Sequence, residues 1–267
     1  MIPKIIHYIW LGSLPKPDLV LKCIESWKKY CPDYEIKEWN DATTAHIENE
    51  YFRQAVEAKK WAFASDFLRL YAIRNEGGFY CDSDLEITRP IDEMCQYSFV
   101  TGYENFEGYY KPVTAFMGAE KGNEIIQELI KEYETQPFIV DGKPDLTTNT
   151  IRITRCFQQK YGIMPPFDGH DTTYLTDSSI IFPSYYFCTP EEGKINYTIH
   201  HFNGSWMIPK NYKRINILSI WHYRFAIFKH LFEQKEDEFP MRPKEKWLWK
   251  YRINKKYILG YLKKEKI

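Results

Sequence analysis

The sequence predicts an α/β fold: a central, mostly parallel mixed sheet flanked by helices, with a helical appendage at the C-terminal end. Three observations carry this. Short strand-like runs alternate with segments of helical periodicity from residue 4 to about residue 133, the rhythm of βαβ units around a sheet with covered faces. A segment apolar on nearly every side stops at the glycine pair 77–78 and is followed at once by another strand-like run, as a buried helix feeding a buried strand would be. Composition also breaks near residue 212: residues 212–267 hold 15 Lys and Arg against 6 Asp and Glu, a net +9, while residues 1–211 hold 21 against 30, a net −9. The expected organisation is therefore one main domain over 1–211 and a basic, aromatic, helical extension over 212–267.

Taken in order, Lys4 to Trp10 reads as a first strand, and "PDLVLKCIESWKKY" from Pro17 as a helix with Val20, Ile24 and Trp27 at helical spacing. "YEIKEWN" at 34–40 alternates as a second strand would, and a polar helix is expected from Ala42 to about Lys60. "KKWAFASDFLRLYAIRNEGG" is the buried helix, with Trp61, Phe63, Phe67, Leu68, Leu70, Tyr71 and Ile73 spread around it. "FYCDSDLEI" follows as one strand, then strands around Ser98–Tyr103 and Val113–Gly118 and a helix from Asn123 to Tyr133. The opening "MIPKIIHYIWLG" is too short an apolar run for a membrane span and has no signal-peptide pattern. It reads as a buried strand.

Overall charge is zero, from 36 basic and 36 acidic residues, so bulk electrostatics offer no argument for a nucleic-acid partner. The six cysteines form no CxxC pair and no dense framework, which points away from a zinc knuckle or a disulfide scaffold and toward a reduced, cytoplasmic chain.

Chemistry concentrates on either side of the glycine pair. Asp66 and Arg69, three residues apart on the apolar helix, share a face, and charges in such surroundings need a partner; a structural ion pair is the plain reading. Asp82 and Asp84 interrupt an apolar strand at its carboxyl end, where open α/β sheets bind ligands. Two carboxylates this close repel unless a cation joins them, and a hard divalent ion takes carboxylate oxygens while completing its shell with phosphate oxygens. Alone, an Asp-x-Asp triplet is a common surface turn.

The run "WAFASDFLRLYAIRNEGGFYCDSDLE", the opening "IPKIIHYIWLG" and the later "IHHFNGSW" together resemble glycosyltransferase family 32, DXD-motif sugar transferases of GT-A fold, and the catalytic domains of the large glucosylating toxins related to it. The likeness spans roughly residues 1–210. It implies a nucleotide-binding role for Trp10, stacked on the base, and for Tyr80, lining the nucleoside pocket. Asp66 and Arg69 would hold sugar hydroxyls and the phosphate side of the donor, and Asp82 ribose and sugar hydroxyls. The metal, Mn²⁺ or Mg²⁺, would be held by Asp84 and by His201, with His200 the competing choice, since neighbours on a strand face opposite ways. Ser205 and Trp206 would reach the diphosphate. Asn149, in a "TTNT" segment that departs from the pattern of many members, would stand at the donor or acceptor site.

The resemblance further implies a UDP-sugar donor, a hexose or N-acetylhexosamine as cargo, and retention at the anomeric carbon. No protein nucleophile is identified by the residues. The expected acceptor is a growing cell-surface glycan, capsular or lipopolysaccharide-type, or its lipid-linked precursor. A toxin-like protein glycosyltransferase and a non-catalytic nucleotide-sugar-binding module are the alternatives. The basic, aromatic extension carries the expectation of peripheral association with the cytoplasmic face of an anionic membrane.

Overall fold

A computed structural model describes residues 1–203 apart from Glu107 and Thr114. Ser205, Trp206 and the extension expected at 212–267 lie outside the described residues.

In chain order the elements are β1 (Ile5–Ile9), α1 (Asp18–Tyr30), β2 (Glu35–Trp39), α2 (Asp41–Thr44), α3 (Glu50–Glu57), α4 (Trp61–Glu76), β3 (Gly78–Cys81) and β4 (Leu85–Ile87). Then come β5 (Phe99–Gly102), β6 (Glu104–Phe106), β7 (Tyr109–Lys111), β8 (Phe116–Ala119), α5 (Glu124–Thr135), β9 (Ile139–Val140), β10 (Lys143–Pro144) and α6 (Asn149–Tyr161). The last are β11 (Thr173–Thr176), β12 (Ser179–Phe182), α7 (Ser184–Phe187) and β13 (Thr198–His200).

Seven strands form the main sheet in the order β11-β12-β5-β8-β3-β1-β2. β1 pairs in parallel with β2 and β3, and β5 with β12, whereas β8 runs antiparallel between β3 and β5, and β11 antiparallel at the edge. The sheet is mixed with most strands in one direction, as the sequence predicts. The carboxyl ends of β1, β3, β5 and β12 therefore share one edge.

Strand alternation splits the core into two layers. Ile6 and Tyr8 of β1, Phe79 and Cys81 of β3 and Phe116 of β8 face the layer containing Cys23 and Trp27 of α1. Ile9, Tyr80 and Met117 face the opposite layer, filled by α3, α4, α5 and α6. Helix α4 buries Phe67, Leu68, Leu70, Ala72 and Ile73, and each large apolar side chain so buried is worth about 1.5–3 kcal/mol. The helix stops at Gly77 and Gly78, both at positive φ (71° and 101°). A Cβ on Gly78 would lie 2.7 Å from the Ile5 carbonyl oxygen of the neighbouring strand, so only glycine lets the chain turn directly into the middle of the sheet.

Two expected elements are corrected. The polar helix expected from Ala42 to Lys60 is two helices, α2 and α3, because Asn40 caps one and the Asn49 side chain accepts from the Phe52 amide to cap the other; an internal Asn that bonds the backbone starts a helix rather than continuing one. The single strand expected over "FYCDSDLEI" is broken. β3 ends at Cys81, the Leu85 amide donates to the Asp82 carbonyl (2.9 Å), and β4 leaves the main sheet to pair antiparallel with β13. The DXD segment is the turn between them.

That turn is clamped at both ends. The Asp82 amide donates to the Ala115 carbonyl (3.0 Å) just before β8. On the far side α1 holds β4: the Trp27 indole N–H donates to the Leu85 carbonyl (2.7 Å), and the Ser26 hydroxyl accepts from the Ile87 amide (3.0 Å). Among the described residues no helix is long and apolar enough to cross a membrane.

Candidate functional site

The register of β3 points Tyr80 at α4, and helical spacing points Asp66 and Arg69 back at it. The Arg69 guanidinium lies over the Tyr80 ring, 4.4 Å from its centroid. Its Nη2 is 3.1 Å from Asp66 Oδ1 and 3.3 Å from Asp82 Oδ1, and the Tyr80 hydroxyl donates to the same Asp82 oxygen (2.7 Å). Asp66 Oδ2 accepts the backbone N–H of Asn149 (3.1 Å), the first residue of α6, where the N-terminal amides of a helix favour negative charge. The expected Asp66–Arg69 pair exists, and it is the base of a larger array that reaches Asp82 on one side and Asn149 on the other.

Burial pushes the Asp66 carboxyl up, to about 6, against the pull of Arg69 and the Asn149 amide. Burial by itself would lower Arg69, but Asp82 first, then Tyr80 and Asp66, raise it, so it stays a cation between two carboxylates. The Asn149 side-chain oxygen is buried with no hydrogen-bond partner, a polar atom that a ligand donor would satisfy.

Asp84 stands on the other side of the turn. Its Oδ2 accepts the Asn203 amide (2.8 Å) and its carbonyl accepts the His201 amide (3.2 Å). His200 Nε2 lies 3.7 Å from Asp84 Oδ1. Asp82, Asp84 and His200 each offer an atom, and the three atoms lie within 4.8 Å of one another. The His200 Nδ1 is buried with no partner.

The two candidate histidines stand differently. His201, expected beside Asp84 as a ligand, turns its ring away: its Nε2 meets Glu86 at 2.9 Å, where Lys22 also binds (2.8 Å). Burial would raise Glu86, but Lys22 and His201 outweigh it and hold the carboxyl below its ordinary value. Strand pairing sets the two histidines on different sides. His200 sits opposite Leu85 in the β13–β4 ladder, which carries its side chain to the Asp84 side of the turn. His201 comes after the strand and falls to the other side.

Trp10 follows the last residue of β1, at the same edge as the DXD turn. It is half-buried, packs only in part against the core and donates its indole N–H to the Leu14 carbonyl (2.9 Å). Ser205 and Trp206 are outside the described residues.

A residue that the sequence reading missed is Glu104. Burial first, and Asp82 next, push its carboxyl up to about 7, with Arg69 and Lys111 pulling the other way. No local pattern marks it, because its nearness to Asp82 comes from strand order in the sheet.

Residues 17–100 match the family model described as glycosyltransferase sugar-binding region containing DXD motif. That match covers the buried helix and the acidic turn, in keeping with the resemblance read from the motifs. The chain is 24% identical to Subversion of eukaryotic traffic protein A of Legionella pneumophila, over 70% of this chain and 37% of that protein. The chain thus spans little more than a third of the curated relative it matches. Among solved structures it is similar to PaToxG glycosyltransferase, at 18% identity over 60% of this chain and 70% of that one with a TM-score of 0.43. It is also similar to a glycosyltransferase involved in the glycosylation of the major capsid of PBCV-1, at 16% identity over 75% and 94% with a TM-score of 0.42.

Proposed function

We propose that the chain is a metal-dependent, retaining transferase of GT-A type that moves a hexose or N-acetylhexosamine from a UDP-sugar to a protein acceptor. The observation that carries the donor half is the convergence of Asp82, Asp84 and His200 at the carboxyl edge of the sheet, beside a buried arginine. Two carboxylates and an imidazole are a donor set that suits Mn²⁺ better than Mg²⁺, and His200 turns its Nε2 toward Asp84 Oδ1 at 3.7 Å. A Mn²⁺ held by Asp84, Asp82 and His200 would offset the charge that gathers on the departing diphosphate.

The other steps belong to the protein. Arg69, fixed by Asp66 and Asp82, holds a positive charge on the phosphate side of the donor and needs no reorganisation as the bond to the anomeric carbon breaks. Asp66 and the free Asn149 side-chain oxygen accept sugar hydroxyls. Asp82 Oδ1 is bonded by Tyr80 and Arg69, which leaves its other oxygen for the metal or for a donor hydroxyl. Ser205 and Trp206 remain proposed diphosphate contacts on the strength of the motif.

The protein acceptor takes its support from the curated relative, whose name describes an action on eukaryotic traffic. The surface-glycan acceptor leaned on the composition of residues 212–267, which are not described. The deciding experiment is a panel of UDP-sugars scored for Mn²⁺-dependent UDP release, followed by labelled transfer from the best donor to eukaryotic cell lysate protein and, in parallel, to lipid-linked saccharide. Label in protein bands supports the reading. Label in the lipid-linked fraction alone would replace the acceptor, and tight UDP-sugar binding without release would replace the enzyme by a binding module.

Trp10 supplies a separate check on the nucleotide. Trp10→Ala is expected to weaken UDP binding by about 1–3 kcal/mol, the scale of stacking a base on an aromatic ring, with little change in melting temperature. Calorimetry that finds equal affinity and a lower melting temperature would make Trp10 a packing residue.

A further inference from the structure

We infer that Glu104 is the acceptor-side carboxyl of this site, accepting the hydrogen bond of the attacking hydroxyl. The inference rests on the donor reading above and extends it to the second substrate.

Topology places the residue. β8 lies antiparallel between β3 and β5, so β3 and β5 end at the same edge. The DXD turn leaves the end of β3, and Glu104 opens β6 just beyond the end of β5. Glu104 and Asp82 therefore each follow the carboxyl end of a strand bordering β8, and the charges of Asp82 and Arg69 act on the Glu104 carboxyl. It reaches that spot from the far side of β8, so the acidic turn and Glu104 flank the sheet edge from two directions.

The hairpin that carries it is tied to the metal side as well. β6 and β7 pair antiparallel, with Glu104 opposite Lys111 and Phe106 opposite Tyr109. Phe106 meets Phe202 with ring centroids 5.5 Å apart, and Phe202 lies against His200 at 3.9 Å. A chain of rings thus links the hairpin to the histidine of the candidate metal cluster.

The state of the carboxyl also favours a ligand. Asp66, Asp82 and Asp84 each accept a hydrogen bond from the protein. The half-buried Glu104 carboxyl makes no hydrogen bond or ion pair among the described residues, while its backbone is held in the β6–β7 ladder. A carboxylate left in that condition beside Asp82 is held against repulsion and desolvation, and a hydroxyl donor arriving with the acceptor would relieve both.

Water, the simplest acceptor, provides the test. Hydrolysis of the best UDP-sugar is measured at saturating donor and Mn²⁺ for wild type, Glu104→Gln and Glu104→Ala, with UDP affinity by calorimetry for each. The expected result is a fall in kcat of roughly 10- to 100-fold for Ala, the range for losing a hydrogen bond to a charged group. The Gln variant should be intermediate, because it keeps an acceptor oxygen, and UDP affinity should stay within about twofold in both. Unchanged kcat in the Ala variant, or kcat and UDP affinity falling together, overturns the inference. If the Ala variant does not fold, the Gln variant decides by the same two readouts. Wild-type protein that releases no UDP at all overturns the donor reading first and this inference with it, whereas active wild type with an equally active variant removes Glu104 alone.

Discussion

Asp84→Asn is expected to abolish Mn²⁺-dependent UDP binding and to lower UDP-sugar turnover by roughly 100-fold or more, the scale on which removal of one transition-state contact is felt. The fold should survive. Asp84 sits in the turn between β3 and β4 rather than in either core layer, and an Asn side chain still offers an oxygen to the Asn203 amide that Asp84 accepts at 2.8 Å. Exhaustive chelation of the wild type should reproduce the loss, and readdition of Mn²⁺ should reverse it in wild type alone. The histidines then sort themselves: His200→Ala should weaken metal-dependent binding as Asp84→Asn does, whereas His201→Ala should disturb only the Glu86 and Lys22 contacts. Activity in the chelated wild type would falsify the metal reading, and loss confined to the His201 variant would return the ligand to that residue.

Arg69→Met carries the second large effect, and on stability as well as on donor binding. The guanidinium stands between Asp66 (3.1 Å) and Asp82 (3.3 Å), and the Arg69 and Asp66 side chains are only 10% and 12% exposed. Removing the cation leaves two carboxylates close together, Asp66 buried and Asp82 only 25% exposed, with little water to screen them. The expected cost is about 3–5 kcal/mol, the range for breaking a buried ion pair by deleting one partner, read as a lower denaturant midpoint at unchanged slope. Adding Asp66→Asn to Arg69→Met should recover part of that loss, because the second change removes one of the stranded charges and leaves an oxygen for the Asn149 amide. A single variant within 1 kcal/mol of wild type, or a double variant less stable than the single one by the full cost of each, would show that the pair is not what holds α4, β3 and α6 together.

Much of this site is local in the chain and could be read there. Asp66 and Arg69 are three residues apart on one helix, so 3.6-residue geometry brings them to one face whatever the tertiary structure does. The glycine pair marks the end of that helix because only glycine accepts the required φ beside β1, and the strand that follows is apolar because it is buried. Tyr80, Asp82 and Asp84 are then delivered to the sheet edge by sequence proximity alone. The same logic fails at 42–60, where Asn49 competes for the backbone and divides one amphipathic pattern into two helices.

What the sequence by itself determined, then, is the α/β class, the buried helix α4, the stop at Gly77 and Gly78, and the acidic turn with its arginine partner, because each rests on periodicity or chirality within about twenty residues. Tertiary structure decided which histidine faces Asp84, since a three-residue strand has no face until β13 pairs with β4 and puts His200 opposite Leu85. It also brought the Asn149 amide to Asp66 across 83 positions of chain, and it set Glu104 at the same end of the sheet as Asp82 by running β8 between β3 and β5. These are consequences of pairing order and packing between distant segments, and no local spacing encodes them.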